Sequence, residues 1–183
     1  MTEWFTADTH FGHKRIIELA ARPFGSVEEM DEVMIWRWNE RVKKPGDLVY
    51  HLGDFAFAAH DLYLRRLNGN KQLVVGNHDH RSRVNKAHGW GTVNNMLSVR
   101  AGGLSIELCH YALRVWNKSQ HGSLHLYGHS HGHLPGDSQC LDVGVDCWDF
   151  RPVSLEEIRA RLATQRPRVH PDHHVPGTTE DLP

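Results

Sequence analysis

The sequence predicts a mixed α/β domain, a mixed sheet system flanked by helices, and three observations carry that reading. Short apolar runs of strand length alternate with helix-like segments through the first half of the chain, and further strand-like runs follow in the second. Two Ser-x-x-Glu signatures, Ser26 to Glu29 and Ser154 to Glu157, mark helix starts. Polar clusters repeatedly follow the strand-like runs, where folds of this class hold ligands.

Taken in order, Trp4-Phe5-Thr6-Ala7 reads as a short buried strand running into Asp8. A helix follows from about His13 to Ala21 and is stopped by Pro23. The next helix opens on Ser26-Val27-Glu28-Glu29, where hydroxyl and carboxylate each satisfy an orphan backbone donor. Val27, Met30, Met34, Trp38 and Val42 then recur at helical spacing. Pro45-Gly46-Asp47 forces a turn into a second strand, Leu48 to Leu52, which ends at Gly53-Asp54. Asp61 to Leu67 reads as a short helix with Asn68-Gly69 as a left-handed cap. Gln72 to Val75 is a third strand, ending at Gly76-Asn77-His78-Asp79. Later strands are expected at Val93–Val99, Leu104–Cys109, Leu124–Tyr127 and Cys140–Val145, in an antiparallel-looking arrangement. Ser154 opens a last helix with Leu155, Ile158 and Leu162 on one face.

A chain of 183 residues fits one domain, expected over residues 1–165, with a polar, flexible tail over 166–183. Lys+Arg 21 against Asp+Glu 22 gives no overall pull toward nucleic acid or anionic membrane. Apolar runs too short for a bilayer, and no charged-then-apolar leader, point to a soluble cytoplasmic protein without membrane contact. Cys109, Cys140 and Cys147 make an odd count without CxxC spacing, which argues for reduced thiols rather than a disulfide framework. The 16 histidines invite a metal hypothesis, and their positions decide it.

Five stretches end in metal-compatible residues: Asp8-Thr9-His10, Gly53-Asp54, Gly76-Asn77-His78-Asp79, Cys109-His110 and Gly128-His129-Ser130-His131. One residue separates Asp8 from His10, so extended backbone would aim both side chains to one side; His129 and His131 share that spacing. Gly53, Gly76 and Gly128 let the backbone turn and sit close to an ion or phosphate. Asp54 can bridge two cations, and the amide oxygen of Asn77 suits Mn²⁺ or Fe²⁺ better than a thiolate zinc site. Strand alternation turns Cys109 away from His110. Each piece alone is weak, but all five in this order are not a chance pattern.

In this order the motifs resemble the signature of the calcineurin-like metallophosphoesterases, specifically the small single-domain bacterial and phage-type members. Asp8-Thr9-His10-Phe11-Gly12-His13 and Val143-Gly144-Val145-Asp146-Cys147-Trp148 add to the likeness, which spans residues 3 to 160. The resemblance implies an αββα sandwich, two mixed β-sheets between helical layers with a dinuclear site at strand ends. It implies that Asp8, His10 and His131 hold a first metal, that Asn77, His110 and His129 hold a second, and that Asp54 bridges them. The metals implied are two divalent ions, Mn²⁺ foremost, with Fe, Zn, Ni or Mg as alternatives. His78 would bind phosphate and protonate the leaving oxygen, with Asn77 beside the substrate. His13, near the first fork, reads either as a substrate-side residue lining the pocket or supporting a ligand, or as a solvent-facing helix-start histidine.

The expected activity is hydrolysis of a phosphodiester or phosphomonoester by a metal-bridging hydroxide, on a small phosphodiester, a nucleotide or a nucleic-acid end. Gly53-Asp54-Phe55-Ala56-Phe57-Ala58 lacks the arginine and second aspartate of the GDxxDRG motif in the protein-phosphatase branch. A phosphoprotein phosphatase is therefore disfavoured, and no partner for His78 is visible. The alternative is a catalytically silent scaffold or a nucleotide-binding regulator. Trp36 and Trp38 read as core residues of an amphipathic helix rather than a base-stacking platform, and Trp148 as a pocket wall. Arg114 and Arg151 read as strand-end arginines that could meet a distal phosphate or simply lie on the surface, and His170, His173 and His174 as tail residues without a function.

Overall fold

Among the described residues, 1–84 and 87–170 of a computed structural model, nine strands sort into two mixed sheets. β1 (Glu3–Thr6), β2 (Leu48–His51), β3 (Asn70–Val74), β4 (Trp90–Asn94) and β9 (Val153–Ser154) form the first, in order β4-β3-β2-β1-β9. The first four run parallel, and β9 closes the edge antiparallel to β1. β5 (Met96–Ala101), β6 (Leu104–Cys109), β7 (Leu124–Tyr127) and β8 (Cys140–Asp142) form the second, in order β5-β6-β7-β8. The helices are α1 (Ile16–Leu19), α2 (Val27–Arg41), α3 (Asp61–Leu64), α4 (Arg81–Val84) and α5 (Leu155–Leu162). None of the described helices is long and apolar enough to cross a membrane.

Strand alternation builds two cores from one set of strands. Phe5 and Tyr50 point between the sheets, where they meet Ile106, Leu108, Leu126 and Ile158. Their neighbours Trp4 and Val49 point the other way, against Met30, Met34 and Trp38 of α2. The Ser26 hydroxyl accepts the Glu29 N–H at 3.1 Å and starts α2 as expected. The Glu29 carboxylate closes on the Gly25 N–H rather than that of Ser26, so this cap is displaced by one residue. Ser154 and Glu157 form the full reciprocal box.

Several expectations are corrected. The first helix is one turn, Ile16–Leu19, in which only Ile16 is buried, and the third stops at Leu64, where the Arg66 N–H closes a tighter turn on the Tyr63 carbonyl. The run Val93–Val99 is two strands: β4 pairs with β3, the chain changes sheets at Asn95, and β5 pairs with β6. An apolar run records burial but not which sheet receives it. β6, β7 and β8 are mutually parallel, and only β5 is antiparallel in that sheet, because long crossovers link them. β8, expected to run to Val145, ends at Asp142 and gives way to a 3₁₀ turn over Val145–Cys147. Trp148 belongs to the core rather than a pocket wall. Its indole donates to the Asp142 carbonyl at 2.9 Å, and the Arg161 guanidinium stacks on its ring.

Arg166 to Arg168, at the start of the expected tail, lie against the body. The Ser138 N–H donates to the Arg166 carbonyl, and Arg168 pairs with Asp137 and stacks on Trp116. The tail histidines 173 and 174 lie outside the described residues.

Candidate metal centre

Every predicted metal-binding residue follows the C-terminal end of a parallel strand: Asp8 and His10 after β1, Asp54 after β2, Asn77 after β3, His110 after β6, His129 and His131 after β7. Both sheets thus deliver side chains to one edge, and the seven residues meet there. Ligand atoms of Asp8, His10 and His131 lie within 4.8 Å of one another, and those of Asp54, His110 and His129 do likewise. Asp54 sits between the groups, its Oδ2 3.6 Å from His10 Nε2 and 3.5 Å from His110 Nε2. Asn77 Oδ1 is 3.0 Å from a ring nitrogen of both His110 and His129.

The local backbone differs from the extended forks expected. Asp8, His10, Asp54, His129 and His131 all have positive φ, between 46° and 68°. Non-glycine residues seldom adopt this region, and its concentration in five of seven candidate ligands marks stored strain at a functional site. The turns survive because neighbouring loops brace them. Asp8 N–H donates to Gly53 O at 2.9 Å and His10 N–H to Asp54 O at 3.0 Å, carrying the β1–β2 pairing into the loops. Asp79 completes the brace, its carboxylate accepting the N–H groups of Asp54, Phe55 and Gly76 at 2.8–3.0 Å. Gly53, at φ 95°, is required: a Cβ there would lie 2.6 Å from Gly76 N and His110 Nδ1.

Orientation of the imidazoles follows from their second nitrogens. His110 Nδ1–H donates to the Leu52 carbonyl at 2.7 Å, and His131 Nδ1–H donates to Asp146 at 2.7 Å. Each Nε2 is thereby left as a lone-pair donor facing the cluster, the arrangement found in metal-ligating histidines. Both ring nitrogens of His10 and Oδ1 of Asp8 are buried without a hydrogen-bond partner. Buried polar atoms are normally paired, so these atoms fit a cation as their missing partner. The donor set of imidazoles, carboxylates and one amide oxygen suits a divalent first-row metal.

The electrostatics agree. Burial, with the carboxylates of Asp142 and Asp54 adding to it, pushes the Asp8 pKa well up. Burial drives His10 down to about 2, so its ring is neutral. For Asp54 without a metal, burial opposes ionisation, but hydrogen bonding and charge from His110, whose pKa is raised when no metal takes its Nε2, then the His78 N–H, prevail and hold it at about 2. Asp8, whose ionisation burial opposes, beside the neutral ring of His10 is a donor pair that a bound cation would stabilise.

The clusters open into a cleft of about 470 Å³. His78 lies on its floor with its side chain 45% exposed, its N–H donating to Asp54 Oδ1 at 2.8 Å and its ring beside Phe57. His13 lines the cleft and stacks on Phe57 with ring centroids 3.6 Å apart. Ile16, Leu19 and Ala20 form an apolar wall, with Arg15 and His133 at the rim. Arg114 and Arg151 lie elsewhere, Arg151 pairing with Glu157. Sequence reasoning missed Arg22, which is buried behind the first cluster, and the role of Asp146. The only sequence trace of the latter was its motif-like segment.

No family model matches the chain. An uncharacterized protein of Methanocaldococcus jannaschii is 29% identical over 168 residues, covering 85% of this chain and 88% of its own. The gene 66 protein of Mycobacterium phage L5 is 29% identical over 191 residues, covering 85% and 91%. Among solved structures, a protein of unknown function from Aquifex aeolicus superposes with a TM-score of 0.68 at 26% identity, over 87% of this chain and 98% of that one. The chain thus shares its architecture nearly end to end with that protein.

Proposed function

We propose that this chain, which resembles the small calcineurin-like metallophosphoesterases in fold and motif order, is a dinuclear metal-dependent phosphoric ester hydrolase. The observation that carries the reading is the pair of three-residue clusters joined through Asp54 at the floor of one cleft. Two divalent cations held there, Mn²⁺ foremost, would supply Lewis-acid activation of a water nucleophile and neutralise charge building on the phosphoryl oxygens.

The protein's own groups do the rest. Asp8 and Asp54 give the centre only two negative charges, so a loaded site stays net positive and attracts an anionic ester. Asn77 adds an oxygen without adding charge. His78 stands beside the clusters with its ring open to the cleft, placed to bind a phosphate oxygen and protonate the departing one. Phe57 and Ala58 stand where the phosphoprotein branch has the second aspartate and the arginine of GDxxDRG, so no arginine from this loop clamps a monoester dianion. The apolar wall of Ile16, Leu19 and Ala20 offers a flat, non-ionic leaving group a place to rest, and Arg15 offers a charge beyond it. These features favour a small phosphodiester, a nucleotide or a nucleic-acid end over a phosphoprotein.

Metal-stripped protein should hydrolyse bis-p-nitrophenyl phosphate only after Mn²⁺ is restored, and faster than p-nitrophenyl phosphate. His78→Ala should lose about 10²–10⁴-fold on esters with poor leaving groups and less on nitrophenyl esters. A folded protein inactive with every divalent metal would instead favour a scaffold or a nucleotide-binding regulator.

A further inference from the structure

We infer that Arg22 and Asp146 form a buried positioning pair that preassembles the first metal cluster, an inference that rests on the dinuclear reading above. The Arg22 guanidinium is fully buried, and each of its five N–H donors has an acceptor. Nε and Nη2 grip the two oxygens of Asp146 at 2.8 and 2.9 Å. The other Nη2–H donates to the Asp8 carbonyl at 2.6 Å, and Nη1 donates to the Thr9 carbonyl at 3.0 Å and to Met30 Sδ at 3.5 Å. Asp146 Oδ2 in turn accepts His131 Nδ1–H.

One guanidinium therefore touches the cluster along two routes. It pulls on the carbonyls of the strained turn that presents Asp8 and His10, and it fixes the carboxylate that sets the tautomer and ring plane of His131. The two partners come from points 124 residues apart, Arg22 from the segment after α1 and Asp146 from the 3₁₀ turn after β8. Lysine could not replace Arg22, because its three donors lack the planar fork that meets a carboxylate and two carbonyls together. A buried ion pair is a poor source of stability, since an apolar pair of similar volume often does as well. Its value here is geometric. The second cluster is held differently, with His110 oriented by the Leu52 carbonyl, and Arg22 makes no contact there.

The experiment compares wild type with Asp146→Asn and Arg22→Lys, each metal-stripped and titrated with Mn²⁺ by calorimetry. His131 is read in the metal-free state by imidazole ¹⁵N shifts. Wild type should show two binding events and a single Nδ1–H tautomer of His131. Asp146→Asn can turn its amide N–H toward His131, so the tautomer should shift. One binding event should then weaken by about 10–100-fold while the other holds. Arg22→Lys should keep the tautomer and weaken the same event less. Two wild-type binding events in a folded Asp146→Asn would overturn the inference, and so would equal weakening of both. Should Asp146→Asn fail to fold, Arg22→Lys decides by the same split. Wild type that binds no divalent cation would overturn the dinuclear reading along with it.

Discussion

His51 shows how far burial reaches beyond the cluster. It is fully enclosed, and its Nε2–H donates to the Thr9 hydroxyl, which donates onward to the Phe55 carbonyl. Burial pushes its pKa down to about 3. Its unfolded value is near 6.5, so between those limits the unfolded chain binds a proton that the native chain refuses. Stability from this group is complete above pH 6.5 and falls on acidification by up to about 1.4 kcal/mol per pH unit. Asp8, Asp79 and Asp142, raised mainly by burial, act in the opposite sense. The readout is therefore the difference between wild type and His51→Gln in denaturation midpoint from pH 7 to 4.5. The variant should lose less stability over that range, and an identical slope would show that His51 does not titrate as described. The metal-compatible residues were legible in the sequence because side-chain chemistry and motif order carry them. Their backbone was not. The spacing of Asp8 and His10 predicted an extended fork, whereas the structure bends both into left-handed turns. Arg22 and Asp146 were illegible as a pair because nothing local connects residues 124 apart.

At the scale of elements, legibility follows the source of each signal. Caps and amphipathic spacing are local, so the starts and buried faces of α2 and α5 were legible. Trp38 is 1% exposed in the core between α2 and the first sheet, and its indole N–H donates to the Asn68 carbonyl. Trp38→Ala should cost about 3–5 kcal/mol by chemical denaturation, the cost of emptying a large core site. Its neighbour Trp36, also expected in the core, is 62% exposed, because helical phase turns it to the opposite face. Where the signal depended on a partner strand, it failed. Val93–Val99 has one apolar pattern but serves two sheets, and the direction of β6 to β8 is set by crossovers that periodicity does not encode.

The whole molecule explains why short, individually weak motifs can make one site. Parallel strands present all their C-terminal ends to one edge, and two such sheets packed face to face bring two edges together. The first sheet supplies Asp8, His10, Asp54 and Asn77, and the second supplies His110, His129 and His131. Each cluster draws on both sheets, so the inter-sheet core also sets the distance between ligands. Most direct is a titration of metal-stripped protein with Mn²⁺, following ions bound per chain and hydrolysis of bis-p-nitrophenyl phosphate in the same samples. Binding should saturate at two ions per chain, with turnover rising as the second site fills. Full turnover with one ion bound, or two ions bound without turnover, would contradict a dinuclear hydrolase.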